Sequence, residues 1–146
     1  MTARPEHDAV TILQSARLRR TAPRIAVLES LLASDGPLTQ EQITAHIGPR
    51  GPNRVTVYRI LESFVAAGVV RQAFLRDRAQ HYELAHCCPR HRVHPHFTCT
   101  QCGKTCCLPE VDLPMPAAPV NGFLVSRQRV EWEGLCPSCR QSPAAD

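Results

Sequence analysis

The stretch "RVTVYRILESFVAAGVVRQAFLRDRAQHYEL" (residues 54–84) predicts a helix that leads directly into a hairpin. Gly68 divides it, because a glycine just after helical periodicity is typical of a helix C-terminus. Before Gly68 the apolar residues recur at helical spacing and predict a buried stripe of Val57, Ile60, Leu61, Phe64 and Val65. After it, "VVRQAFL" and "AQHYEL" flank "RDRA" and have the composition of two paired strands.

The residues before this stretch predict further helices. "DAVTILQSARLRR" (8–20) has apolar residues at helical spacing, and Thr21 is a candidate N-cap for a second helix with Pro23 in its first turn. Thr39 is a candidate cap for a short third helix, "TQEQITAHI". The second helix is predicted to bury Ile25, Leu28, Leu31 and Leu32. Helices followed by a hairpin are typical of the winged helix-turn-helix, whose last helix enters the DNA major groove.

The second half of the chain has a different character. "HFTCTQCGKTCCL" predicts a hairpin with a Cys-Gly knuckle at its turn, and "PEVDLPMPAAPVNG" holds too many prolines for a regular helix. "FLVSRQRVEWEG" alternates like a strand. The sequence thus predicts an α+β fold, with a helical half followed by a mostly β half.

Charge and composition narrow the function. Residues 1–78 carry eleven arginines against seven acidic residues, whereas residues 79–146 carry six basic and six acidic groups. The excess of positive charge in the first half is compatible with nucleic-acid binding. The chain has no apolar run long enough to span a membrane, and its first twenty residues lack the apolar core of a signal peptide. We therefore expect a cytoplasmic protein with no membrane partner.

Eight cysteines in such a protein indicate metal binding or redox chemistry rather than structural disulfides. Two C-x-x-C pairs stand out, and each presents two thiolates in one turn, as a tetrahedral zinc ion requires. Neither pair opens a helix in a βαβ context, which disfavours a thioredoxin-like dithiol. We predict a closed structural zinc site formed by Cys99, Cys102, Cys136 and Cys139.

The chain resembles the ferric uptake regulator family of metal-responsive bacterial repressors. The resemblance runs in order over residues 18–140, through "LRRTAPRIAVLESL", "TVYRILESFVAAGVV", "HYEL", "HPHFTCTQCGK", "GFLV" and "GLCPSC". It implies a homodimer that binds a palindromic DNA operator, with no enzymatic activity and no small-molecule substrate. Carried over by position, the residues that contact DNA would be Arg24, Arg54, Thr56, Tyr58 and Arg59.

The resemblance also implies a domain plan. A winged-helix DNA-binding domain would occupy residues 1–84, with a hinge over 85–93. A small α/β, mostly β, dimerisation and metal-sensing domain would occupy 94–140, and a disordered tail would occupy 141–146. Metal bound at the hinge would orient the two DNA-reading domains.

A second metal site is expected where histidines and cysteines crowd residues 81–108. In the family, a glutamate after the wing's tyrosine and an H-x-H bind the sensed metal, and these match Glu83, His94 and His96. On an extended strand the two histidines lie on one face. The remaining candidate ligands are Cys87, Cys88, His91 and Cys107, while His81, His86 and Cys106 are expected to be surface or packing residues.

The departures from the family pattern favour zinc as the sensed metal. Positions where iron-sensing members place histidine or aspartate hold Pro37, Val93, Pro95 and Gln128. The surviving set of thiols and imidazoles suits Zn²⁺ better than Fe²⁺ or Mn²⁺. We therefore predict a zinc-responsive repressor, most like the zinc uptake regulator branch, with one structural and one regulatory zinc per protomer.

Several alternatives remain open at this point. Cys88-Pro89 matches the dipeptide of haem-regulatory motifs, and adjacent Cys87 and Cys88 are compatible with a peroxide sensor. An iron-responsive member of the same family is a third possibility. From a different class, the chain would be a zinc-stapled interaction module without DNA binding. A zinc hydrolase is disfavoured because no carboxylate is placed as a general base beside His94 and His96.

Overall fold

The computed structural model describes residues 8–85, 94–111 and 113–141. The chain forms two compact units, Met1–Cys87 and Cys88–Asp146. The described part of the first unit, residues 8–85, contains four helices and three strands: α1 Ala9–Ser15, α2 Ala22–Ala33, β1 Leu38–Thr39, α3 Gln40–Ile47, α4 Arg54–Ala66, β2 Val70–Arg76 and β3 Ala79–Leu84.

Side-chain caps begin three of these helices. The Asp8 carboxylate accepts from the backbone N–H of Thr11 at 2.6 Å, and the Asn53 side chain accepts from that of Thr56 at 2.9 Å. Thr39 caps α3 as the sequence predicts, and it forms a reciprocal capping box with Gln42. Thr21 occupies the N-cap position of α2, as predicted, but makes no side-chain capping bond.

Helix α4 ends at Gly68 as its sequence predicts. Gly68 has φ +71°, a left-handed conformation that costs glycine little. The N–H of Val69 then bonds to the carbonyl of Phe64 at 2.9 Å, which closes the last turn and directs the chain into β2. The predicted stripe is confirmed: Val57, Ile60, Leu61 and Phe64 are buried and Val65 packs against them.

The predicted hairpin is confirmed and forms a three-stranded antiparallel sheet in the order β1-β3-β2. Its turn consists of Asp77 and Arg78, both with positive φ, which is the two-residue turn that suits the twist of a hairpin. A bulge lies between Gln72 and Phe74. Strand β1 was not predicted, because two residues carry no periodicity and become a strand only when they pair with β3.

An apolar cluster drawn from all four helices and the sheet stabilises this unit. On α2, Val27 joins the predicted Leu28 and Leu31 in the buried set, while Ile25 and Leu32 are partly buried. The first helix is shorter than predicted: it ends at Ser15, and Arg17 then takes a positive φ of 55°. Leu18 N–H bonds to Leu13 carbonyl at 2.9 Å across this bend, so the backbone turns where apolar spacing alone predicts continuation.

The second unit is a three-stranded sheet with a short terminal helix, built from β4 His96–Cys99, β5 Thr105–Cys107, β6 Glu131–Gly134 and α5 Pro137–Gln141. The strand order is β5-β4-β6. β4 and β5 form the predicted hairpin, with Gly103 at φ +72° in its turn. β6 pairs with β4 in parallel, which the sequence did not indicate.

Two expectations for this unit were wrong in extent. The strand predicted over residues 123–134 is confined to β6, because β4 offers only four residues for pairing. In the described stretch 113–130, Val120 and Phe123 form an isolated bridge, and Val130 accepts a backbone bond from His96 at 3.0 Å. The predicted tail began at residue 141, but Gln141 belongs to α5, and residues 142–146 lie outside the described part of the chain.

Candidate metal centres and nucleic-acid surface

The two C-x-x-C knuckles meet at one end of the second sheet. The parallel pairing of β6 with β4 places Gly134 beside Cys99, and Thr100 donates both its backbone N–H and its hydroxyl to the Gly134 carbonyl, at 2.8 and 3.1 Å. The chain that leaves β6 therefore passes directly beside the first knuckle. As a result, the sulfurs of Cys99, Cys102, Cys136 and Cys139 all lie within 4.8 Å of one another.

The spacing of these sulfurs fits a tetrahedral metal ion. Cys102 and Cys136 have their Sγ atoms 3.8 Å apart. Four thiolates at a Zn–S distance of about 2.3 Å would have edges of about 3.8 Å. Backbone N–H groups also point at sulfur, since Cys136 N–H donates to Cys99 Sγ at 3.4 Å. This donor set, with Cys99 and Cys136 buried, suits a closed structural site.

The thiol pKa values show why such a cluster needs a cation. Backbone N–H donors from Cys102, and next from Cys136, lower the pKa of Cys99 to about 6. The hydrogen bond to Cys136, together with burial and the sulfurs of Cys102 and Cys99, raises the pKa of Cys139 to about 12. The first thiolate forms readily and the last forms against the charge of its neighbours. A bound dication offsets that repulsion.

A second cluster lies across β4 and β5. His96 begins β4, His94 precedes it by two residues, and their ring centroids are 5.1 Å apart. Cys107 is the partner of His96 in the antiparallel register. The ligand atoms of His94, His96 and Cys107 lie within 4.8 Å of one another, and both histidines are buried. Two imidazoles and a thiolate can bind one transition-metal ion.

Register separates the two adjacent cysteines of β5. Cys107 lies opposite His96, whereas Cys106 lies opposite Phe97 and so belongs to the other face of the sheet. Cys106 is accordingly not a member of either cluster. From the sequence, Cys107 and not Cys106 is a candidate ligand, and the register of β4 with β5 places Cys107 opposite His96.

The first unit places Glu83 on β3, where it is buried with 4% of its side chain exposed. Arg71, its register partner on β2, donates from Nε to Oε1 of Glu83 at 2.6 Å. Sequence reasoning missed Arg71. The signal was available, because a two-residue turn at Asp77 and Arg78 limits the registers that the hairpin can adopt. The other predicted ligands, Cys87, Cys88 and His91, lie outside the described residues.

The outer face of α4 presents the predicted DNA-contacting residues. Arg54 and Arg59 are exposed, and Tyr58 is 46% exposed. A hydrogen bond to Glu62, one turn along the helix, raises the pKa of the Tyr58 hydroxyl. Thr56 is half-buried on the first turn. The face therefore combines two cations with an aromatic hydroxyl, which is the chemistry of groove contacts.

Arg24 has a different environment from the α4 residues. Its guanidinium donates to the Ser63 hydroxyl at 3.2 Å and to the Arg19 carbonyl at 3.4 Å. The bond to Ser63 ties α2 to α4, and the bond to Arg19 ties α2 to the residues that precede it. The structure therefore brings Arg54, Tyr58 and Arg59 to one exposed helix face, while Arg24 is half-buried and fixed by intramolecular bonds.

The fold and the two clusters define a two-part protein with a winged-helix unit and a metal-binding unit. The chain matches the family described as "Ferric uptake regulator family" over residues 15–116, and it belongs to that family. It is 34% identical over 142 residues to the transcriptional regulator FurA of Mycobacterium tuberculosis H37Rv, covering 90% of each chain. It is 31% identical over 138 residues to the peroxide-responsive repressor PerR of Staphylococcus saprophyticus, covering 91% of this chain and 90% of the relative.

Among solved structures, a zinc uptake regulator complexed with zinc and DNA has the same fold. The TM-score is 0.60 with 21% identity, and the match covers 94% of this chain and 93% of the other. As a member of the family, the chain is a metal-binding, DNA-binding transcriptional regulator and not an enzyme. In the described residues no helix is both long and apolar enough to cross a membrane.

Proposed function

We propose that this chain is a zinc-responsive repressor of metal uptake genes. The observation that carries the proposal is the second cluster, in which His94, His96 and Cys107 converge. Fe²⁺ and Mn²⁺ sites more often recruit carboxylates, whereas a thiolate with imidazoles favours Zn²⁺. The protein would act in the cytoplasm as a homodimer on a palindromic operator.

Each protomer would hold two zinc ions. The four-cysteine cluster would hold the structural ion, and the second cluster would hold the regulatory ion. We assign Glu83 as the fourth regulatory ligand because it follows Tyr82 in "HYEL", the position at which the family places a ligand. Cys87, Cys88 and His91 are the competing candidates for that position.

The two parts of the chain would have different functions, DNA binding in the first and dimerisation with metal sensing in the second. Residues 1–84 would read DNA through Arg54, Thr56, Tyr58 and Arg59, with Arg24 at the backbone. Residues 94–140 would dimerise and sense metal, and residues 85–93 would be the hinge between them. Arg59 has the reach and charge to pair with guanine or with a phosphate, and the Tyr58 ring would contact a thymine methyl group.

Regulation then follows from thermodynamic linkage. Zinc supplies two positive charges and a preference for four ligands, so it stabilises the arrangement of the chain that brings its ligands together. If that arrangement is also the one that fits DNA, zinc and operator each tighten binding of the other by the same factor. Repression would hold when zinc is ample and cease when zinc falls.

A peroxide-responsive regulator is the second candidate function. The similarity to peroxide-responsive repressors of Staphylococcus species and to the peroxide operon regulator of Bacillus subtilis favours it. In that case an oxidant, and not the supply of zinc, would control DNA binding.

The decisive experiment combines metal analysis with DNA binding on one preparation. The probe is a duplex selected from a random-sequence pool by the zinc-loaded protein. We expect two zinc ions per protomer, of which mild chelation removes one together with DNA binding, and zinc addition restores both. Restoration by Fe²⁺, Mn²⁺ or haem but not zinc would contradict the choice of metal. Loss of binding on adding hydrogen peroxide to the zinc-loaded protein would favour the second candidate.

The adjacent cysteines of β5 provide a matched pair of variants. Cys107→Ser removes a proposed ligand, and we expect it to lose the chelatable zinc and at least tenfold in zinc-dependent DNA affinity. Cys106→Ser changes the same atom one residue away on the opposite face, and we expect both zinc ions to remain. Equal zinc content in the two variants would remove Cys107 from the site.

A further inference from the structure

The ion pair between Arg71 and Glu83 lies at the base of the hairpin. The two residues are register partners on β2 and β3, and Arg71 Nε donates to Glu83 Oε1 at 2.6 Å. Their exposures differ greatly: the Glu83 side chain is 4% exposed and the Arg71 side chain is 43% exposed. One partner is therefore fixed inside the protein, while the other has access to water.

Because of this difference in exposure, Arg71 can leave the ion pair for solvent more easily than Glu83 can. A buried carboxylate that keeps its charge needs a cation or several hydrogen-bond donors, because burial removes its hydration. Arg71 provides that cation from the protein itself. If a metal ion binds the carboxylate, the Arg71 guanidinium can move into solvent. Breaking the ion pair then costs little free energy, since an exposed guanidinium is well hydrated.

We propose that Arg71 is a built-in competitor of the regulatory metal for Glu83. The inference rests on the proposed function, in which Glu83 is a regulatory ligand. In the metal-free protein the guanidinium neutralises the carboxylate. A dication that binds the Glu83 carboxylate repels the guanidinium of Arg71 at short range. It also neutralises the negative charge that attracted this guanidinium to Glu83. Arg71 thus stabilises the metal-free state more than the metal-bound state.

The consequence is a lower affinity of the regulatory site for zinc. Any group that favours the metal-free state lowers metal affinity by the corresponding factor. Arg71 would therefore set the zinc concentration at which the sensor responds, above that at which the four-cysteine site fills. It is a positioning residue for Glu83 and not itself a ligand.

The test measures zinc affinity in the full-length protein with its structural zinc retained, by competition with a chromophoric chelator. Arg71→Gln removes the charge and keeps an amide of similar reach. We expect zinc to bind the regulatory site about tenfold more tightly, and the metal-free variant to be less stable to urea than the wild type. Arg76→Gln is the matched control, because it removes the same charge from the other end of β2. We expect the zinc affinity of its regulatory site to equal that of the wild type.

Arg71→Lys covers the case in which Arg71→Gln fails to fold. Lysine keeps the positive charge, so its zinc affinity should stay within about twofold of the wild type. Unchanged or weaker zinc binding in Arg71→Gln would overturn the proposal, since Arg71 would then only orient Glu83. A tenfold gain in zinc affinity in Arg71→Lys would also overturn the proposal, because the positive charge at position 71 would then not be what lowers zinc affinity.

Glu83→Gln separates this inference from its premise. With Glu83→Gln in the background, Arg71→Gln should have no further effect on zinc affinity. If Glu83→Gln alone leaves zinc affinity unchanged, the inference falls with the assignment of Glu83, while zinc-dependent DNA binding by the wild type stands. If the wild type binds one zinc only, the proposed function itself fails.

Discussion

The two units of this chain are stabilised by different physics. The first has a continuous apolar core in which side chains such as Leu28, Leu61 and Phe64 are completely buried. Among the described residues of the second unit, the buried side chains include Pro95, Cys99 and Cys136, whereas large apolar side chains such as Phe123 and Leu124 are 74% and 81% exposed. The first unit is organised by burial, and the second by its cysteine cluster.

The comparison also separates what each unit contributes. A unit with its own core can present a rigid helix face, as α4 does. A small sheet that depends on a structural metal ion is kept folded by that ion, because binding free energy and folding free energy are then the same quantity.

The largest expected effect tests the cysteine cluster. Cys136→Ser should release the structural metal and unfold the second unit, since structural zinc sites contribute roughly 10–16 kcal/mol of binding free energy. Trp132 is the single tryptophan of the chain and lies on β6, so its fluorescence reports on this unit. Helical circular dichroism, which comes chiefly from the first unit, should persist. An unchanged Trp132 spectrum would show that the fold of the second unit does not depend on the cysteine cluster.

A smaller destabilisation, confined to the first unit, is expected when its apolar core is changed. Leu61→Ala leaves a cavity beside Phe64 and should lower the free energy of unfolding of the first unit by about 2–5 kcal/mol. The measurement is urea unfolding followed by helical circular dichroism. The Trp132 signal should keep the midpoint of the wild type, and a shift of both signals together would show that the two units unfold as one.

The smallest effect concerns DNA binding. Arg59→Ala removes one exposed cation from α4 and should weaken operator binding by about 1–3 kcal/mol without altering the zinc content. Arg127→Ala removes the same charge from an exposed position of the second unit and serves as the control. Equal loss of affinity in the two variants would indicate a general charge effect in place of a contact made by α4.

Much of this architecture is encoded locally and was predicted from it. Helical spacing located α2 and α4, Thr39 marked the start of α3, and Gly68 marked the end of α4. The two C-x-x-C pairs also identified the four cysteines that the structure brings together. Each of these signals acts between residues a few positions apart, so the sequence by itself determines it.

Pairing between distant segments was decided by the tertiary structure alone. The parallel addition of β6 to β4 and the pairing of Cys107 with His96 both depend on register. A shift of one residue in register would exchange the faces of a strand while leaving its composition the same. For that reason the sequence supplied the candidate ligands, and the ladders between strands selected which of them meet.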